Sequence, residues 1–158
     1  MNLDYIRGLA KKIKEIDPSL TALDHLKKRH AIIAYLDSFD GTHIADGCYF
    51  KTDEIICVLI NPNLSEYDRN WVFAHEFGHF LLHTNLNIFF VEKYDKVLGK
   101  KLDIEADTFC AEFLLDDDIF IRYEGVPTED IARIVGIPHK FVVMKYNNLC
   151  KVGLIDAM

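Results

Sequence analysis

Residues 71–83 read Trp71-Val72-Phe73-Ala74-His75-Glu76-Phe77-Gly78-His79-Phe80-Leu81-Leu82-His83, and the rest of the chain is best placed from here. Apolar residues recur too densely for a one-sided helix, so the segment predicts a helix buried on nearly every side. Ser65 can cap it, or Asp68 a shorter version, and it runs to about His83. Inside it lies the pattern HExxH. Four residues turn a helix through about 400°, so His75 and His79 stand one turn apart on one face. Both imidazoles can reach one metal ion. Glu76, turned about 100° from His75, borders the same side without being needed as a ligand. There it can take a proton from a metal-bound water. Two unliganded histidines and a glutamate in so apolar a helix carry a desolvation cost, which favours a metal over a packed core.

A site that keeps one position open for water needs a third protein ligand. No HExxHxxGxxH pattern supplies one. His83 lies roughly 12 Å from His75 along a straight helix, too far to share the ion. Leu102–Leu115 predicts a second strong helix, with Ile104, Ala106, Phe109, Cys110, Phe113 and Leu114 apolar. Glu105 on this helix is the favoured third ligand. Asp107 is the alternative, or it orients a histidine from outside the ligand set. Glu112 is expected to face solvent. His83 is a candidate oxyanion donor or a group supporting a ligand, while Tyr49, Tyr94 and Tyr123 stay unranked for the oxyanion role.

Outward from these helices, Asn2–Glu15 has a 3.6-residue apolar period, broken at Asp17-Pro18-Ser19, and about Leu20–Arg29 predicts a second helix. His30–Leu36 reads as extended. Ser38–Gly47 reads as a polar loop with turns at Asp40-Gly41 and Asp46-Gly47. Cys48–Lys51 and Glu54–Ile60 predict a hairpin through Thr52-Asp53, with Cys48 opposite Cys57. Thr84–Lys101 is ambiguous, with Gly99-Lys100-Lys101 read as a turn. Thr128–Val135 and His139–Tyr146 predict two short helices around Gly136-Ile137-Pro138. No repeat or linker divides the chain, so residues 1–158 are expected to form one domain, with 127–146 integral to it.

Half of the 158 residues are hydrophobic, which excludes a disordered chain. No apolar run approaches the ~20 residues of a membrane span, and Met1–Ala10 lacks a signal-peptide core. The expectation is a cytoplasmic protein without membrane attachment. Its four cysteines form no CxxC pair and read as reduced, packed thiols. The formal charge is −7, with residues 1–30 at +3 and the remainder at −10. So acidic a body argues against direct nucleic-acid binding, and Lys27-Lys28-Arg29 reads as a solvated helix end.

Several motifs occur in order: Ile60-Asn61, Arg69, Trp71–His83, then Glu105-Ala106-Asp107-Thr108-Phe109-Cys110-Ala111-Glu112-Phe113-Leu114-Leu115. The last block resembles an EAxxFAAxLL helix, and together the motifs resemble the ImmA/IrrE-type zinc metallopeptidases over about 55–115. The resemblance implies an α+β fold: a mostly helical, minimal zincin-like domain with a small three-stranded antiparallel sheet against the active-site helix. It implies one Zn(II) per chain held by His75, His79 and Glu105, with Glu76 as the catalytic carboxylate. It also implies cleavage of a partner transcriptional repressor with a helix-turn-helix domain, encoded by a prophage or integrative element. Leu114-Leu115-Asp116-Asp117 departs from the usual LLMP-like run. Residues 127–146 loosely resemble the helix-turn-helix-like segment that follows such cores, but their net charge of +1 argues against DNA recognition. The competing reading is a non-catalytic, zinc-containing module that sequesters a regulator. The intact Glu76 argues against it, since a structural site needs no general base.

Overall fold

The computed structural model describes residues 2–39 and 41–156. Met1, Asp40 of the expected Asp40-Gly41 turn, and the last two residues of the expected 1–158 domain lie outside the described residues.

Helix α1 (Leu3–Ile16) buries Ile6, Ala10 and Ile13, and Asn2 caps it by accepting from the Tyr5 amide. α2 (Ala22–Lys28) starts slightly later than expected because Thr21 and Asp24 form a reciprocal capping box. The main sheet has β1 (Ile32–Tyr35), β4 (Gly47–Lys51) and β5 (Ile56–Ile60) in the order β1-β5-β4. Within the expected polar loop, β2 (Ser38–Phe39) and β3 (Thr42–His43) form a short antiparallel pair.

The main sheet is mixed, where an antiparallel one was expected. β1 runs parallel to β5, with Ile32 opposite Cys57 and Tyr35 opposite Ile60. The chain leaves β1, returns as β4 in the outer position, and the hairpin folds β5 into the gap between them. The hairpin register is also two residues from the expected one. Lys51 faces Ile56 and Cys48 faces Leu59. The turn takes Thr52–Ile55, with Thr52 Oγ1 accepting from the amides of Glu54 and Ile55 at 3.3 and 3.1 Å. A slip of two residues keeps every side chain on its face, but Cys48 no longer opposes Cys57, and both are free thiols.

α3 (Glu66–Leu82) is capped by Ser65 and ends at His83, close to the expected bounds. Its Phe77 is fully buried, stacked on His25 and edge-on to Phe109 and Phe113. The ambiguous region resolves into α4 (Ile88–Tyr94) and the start of α5 (Lys96–Leu114). Gly99 lies inside α5 rather than in a turn: a Cβ there would stand 3.3 Å from Glu92 Cα, so glycine lets the two helices touch. Gly78 does the same between α3 and α5, where a Cβ would meet both Cα and O of Ala106 at 3.1 Å.

Asp116 begins a short helix that the sequence reading did not anticipate, α6 (Asp117–Arg122). α7 (Thr128–Val135) has the expected bounds and closes on Gly136 at φ 66°, the left-handed cap position. α8 (His139–Lys151) runs beyond the expected Tyr146 and buries Phe141, Val142 and Leu149. Glu112 corrects an expectation. It is buried, accepting from Arg7 at 2.9 Å, Lys145 at 2.6 Å and Asn148 at 2.9 Å. A buried carboxylate is tolerated when cations and donors answer it in this way.

Candidate metal centre

The HExxH pattern lies in the middle of α3, which presses against α5 at Gly78 and Ala106. His75 and His79 project on one side, with their Nε2 atoms 3.0 Å apart. Asp103 Oδ1 stands 3.4 Å from His79 Nε2. Ligand atoms of these three residues all lie within 4.8 Å of one another. The cluster therefore brings Asp103, not the expected Glu105, to the two histidines. The helix angle gives the reason. Asp103 and Asp107 are four residues apart and share a face, whereas Glu105 is turned about 200° from Asp103.

The outer contacts fix which ring nitrogens face the cluster. His75 Nδ1 donates to Asp107 Oδ1 at 2.8 Å, so the neutral ring presents Nε2 as a lone pair. His83 Nε2 donates to Glu105 Oε2 at 3.1 Å, so a neutral His83 offers Nδ1 as an acceptor. His79 Nδ1, 2.9 Å away, then donates to it, and His79 Nε2 is also a lone pair. Asp103 Oδ1 is buried without a hydrogen-bond partner, and so is Glu76 Oε2. Two imidazole lone pairs 3.0 Å apart beside a buried carboxylate oxygen are an unfavourable set unless a cation joins them. Two nitrogens and one oxygen, with room for a fourth donor, suit tetrahedral zinc.

Electrostatics follow burial. Desolvation pushes the Glu76 carboxyl up to about 8 and the His79 imidazole down to about 4. Burial also opposes charge on His75, but Asp107 and the neighbouring carboxylates outweigh it and raise the imidazole. Desolvation and then Asp103 lift Glu92 to about 7, a residue the sequence reading passed over.

A cleft of about 500 Å³ opens beside the cluster, lined by His75, Glu76, Asp103 and Asp107 and walled by residues from Thr42 through Cys48. Lys140 of α8 also lines it, with Nζ 3.5 Å from both Asp107 oxygens and 4.8 Å from the centre of the Trp71 ring. Of the tyrosines left unranked, Tyr49 is buried in the core and Tyr94 is 74% exposed. β5 is central and pairs on both edges, so a further strand could join the main sheet only beside β1 or β4.

Residues 29–146 match the family described as the IrrE N-terminal-like domain. "Metallopeptidase ImmA" of Bacillus subtilis (strain 168) is 37% identical over 91 residues, covering 55% of this chain and 52% of that protein. "Uncharacterized immunity region protein 2" of Bacillus phage phi105 is 33% identical over 90 residues, covering 56% of this chain and 57% of that protein. The similarity thus spans about half the length of the curated relatives. No helix among the described residues is long and apolar enough to cross a membrane. With the family match running from just after α2 into α8 and including the whole HExxH helix, the chain belongs to the IrrE N-terminal-like domain family and is an ImmA/IrrE-type protein.

Proposed function

We infer that the chain is a zinc-dependent endopeptidase whose substrate is a protein, a helix-turn-helix repressor of a prophage or integrative element. The observation that carries this reading is the convergence of two imidazole lone pairs and Asp103 Oδ1 beside a buried Glu76 that faces the cleft. His75, His79 and Asp103 would hold one zinc ion per chain. Zinc supplies a polarising charge for a carbonyl and lowers the pKa of a water in the cleft. Glu76, adjacent to His75, takes the water's proton at a carboxylate oxygen and later hands it to the departing amine. Asp107 and His83 keep the two ligand rings in the tautomer that presents Nε2. Glu105 acts one step further out, on His83.

The substrate class comes from the family resemblance and from the relatives of phage-immunity and ImmA name. Its place of action is then the cytoplasm. α7 and α8 complete the core rather than read DNA, in keeping with the burial of Phe141, Val142 and Leu149 and the pairing of Lys145 with Glu112. The test is zinc content and repressor hydrolysis for wild type and Glu76→Gln. The expected result is about one zinc per chain in both, with hydrolysis down by about 10²- to 10⁴-fold in the variant. Equal hydrolysis in both sinks the role of Glu76. Zinc binding without cleavage of any co-encoded repressor by the wild type returns the weight to a sequestering module.

A further inference from the structure

We propose that Gly47 is a positioning residue for Glu76, its bare backbone forming the slot that sets the carboxylate. This deepens, and rests on, the reading of Glu76 as the proton carrier. A Cβ on Gly47 would fall 2.9 Å from Glu76 Oε1, 3.3 Å from Glu76 Cγ and 2.6 Å from Val72 Cγ1. Side-chain carbons do not approach so closely, so glycine lets β4 lie on α3 where this carboxylate leaves the helix, and any larger residue requires Glu76 or Val72 to give way. The requirement is spatial, since Gly47 sits in the β4 ladder opposite Ile60.

Two further observations make the slot specific. Glu76 Oε2 is buried with no hydrogen-bond partner among the described residues, so shape governs where that end of the carboxylate lies. The chain entering Gly47 is also held down firmly. Asn61 Nδ2 donates to the carbonyls of Ile44 and Ala45 at 3.1 and 2.8 Å, and the Asn61 amide donates to that of Asp46 at 2.8 Å. Three successive carbonyls bound by one buried residue leave β4 little freedom to retreat from an intruding methyl group. The carboxylate must then move instead, by several tenths of an ångström to reach ordinary contact, a good part of the ~1 Å displacement at which a reacting group loses about 10²-fold in rate.

The test compares Gly47→Ala, Val72→Ala and the double variant Gly47→Ala/Val72→Ala. The double variant removes the packing clash with Val72 but keeps the clash with Glu76. Two readouts are taken. One is the ¹³C carboxyl signal of Glu76 in glutamate-labelled protein, assigned with Glu76→Gln. The other is kcat and KM on fluorescein-labelled casein. The expected result is that the double variant unfolds at a higher midpoint than Gly47→Ala but keeps a displaced Glu76 signal, with kcat at least about 10-fold down and KM within about twofold. Val72→Ala alone leaves the Glu76 signal in place. A double variant with wild-type signal and rate overturns the proposal and makes Gly47 a packing residue only. Should Gly47→Ala not fold, the double variant decides alone. Should wild type not cleave casein, the carboxyl signal still decides the role of Gly47, and the endopeptidase reading is judged on repressor hydrolysis instead.

Discussion

α5 carries two buried polar clusters, and they are built on opposite terms. At its C-terminal end, Glu112 is answered on both oxygens by Arg7, Lys145 and Asn148, and Lys145 and Arg7 also reach Asp117 at 2.5 and 3.0 Å. Nearer its start, Asp103 Oδ1 and Glu76 Oε2 are buried without a hydrogen-bond partner, and two imidazole lone pairs face each other. The first cluster ties α1, α6 and α8 to α5. The second satisfies every outward-facing nitrogen and leaves the inward-facing atoms wanting. Burial and charge alone do not separate structure from site; the difference lies in which atoms are left without a partner.

The largest effect expected from breaking this contrast is at Asp103. Asp103→Ala should reduce bound zinc far below one per chain and abolish hydrolysis. Glu105→Ala should keep the metal while weakening its binding by about 10- to 100-fold, as changes to groups behind the ligands do. Zinc titration against a competing chelator checks this, and the opposite ranking would restore Glu105 as ligand. Next comes the paired cluster. Glu112→Ala should destabilise the fold by about 3 kcal/mol, because buried Lys145 and Arg7 are left with the half-exposed Asp117 as their one remaining carboxylate in this cluster. Glu112→Leu with Lys145→Met should recover most of that in denaturant unfolding, with zinc per folded chain unchanged. A double variant as unstable as the single one would show that the cluster does more than balance charge.

The smallest effect sharpens the comparison at a half-satisfied group. His25 is buried under Phe77, with Nδ1 accepting from Arg29 at 3.2 Å and Nε2 unpartnered. Burial first, and Arg29 second, hold its imidazole below the usual 6.5. The unfolded chain therefore takes up this proton before the fold does. The stabilisation is complete above about pH 6.5 and is lost as pH falls through and below it. Unfolding midpoints between pH 7 and 5 should fall less for His25→Phe than for wild type. Parallel slopes would remove His25 from the account.

Much of this was legible in the sequence for plain reasons. Ser65 and His83 bound α3 because capping is local, and His75, Glu76 and His79 carry their geometry in their spacing. What was missed depended on distant contacts. Gly99 reads as a turn because what calls for glycine there is the close approach of α4 at Glu92, a packing contact between two helices that no periodicity shows. Glu112 read as exposed because Arg7 and Lys145 lie far from it along the chain. The parallel β1–β5 pair depends on where β5 is inserted, which no strand pattern encodes. The place of Asp103 beside the histidines was within reach, since it stands four residues before Asp107 and shares its helix face.

The contact of Gly78 with Ala106 has a consequence for the choice of cation. At that point α3 and α5 nearly touch, backbone to backbone, between the turns that bear the two imidazoles and the turn that bears Asp103. Any added side chain at 78 would have to spread the helices by a few tenths of an ångström, and the donor set would open with them. A wider bite suits a larger ion with more oxygen ligands, and a narrower one suits a small tetrahedral ion. Preference for one metal over another would thus be set in part by two residues that bring no ligand atom to it.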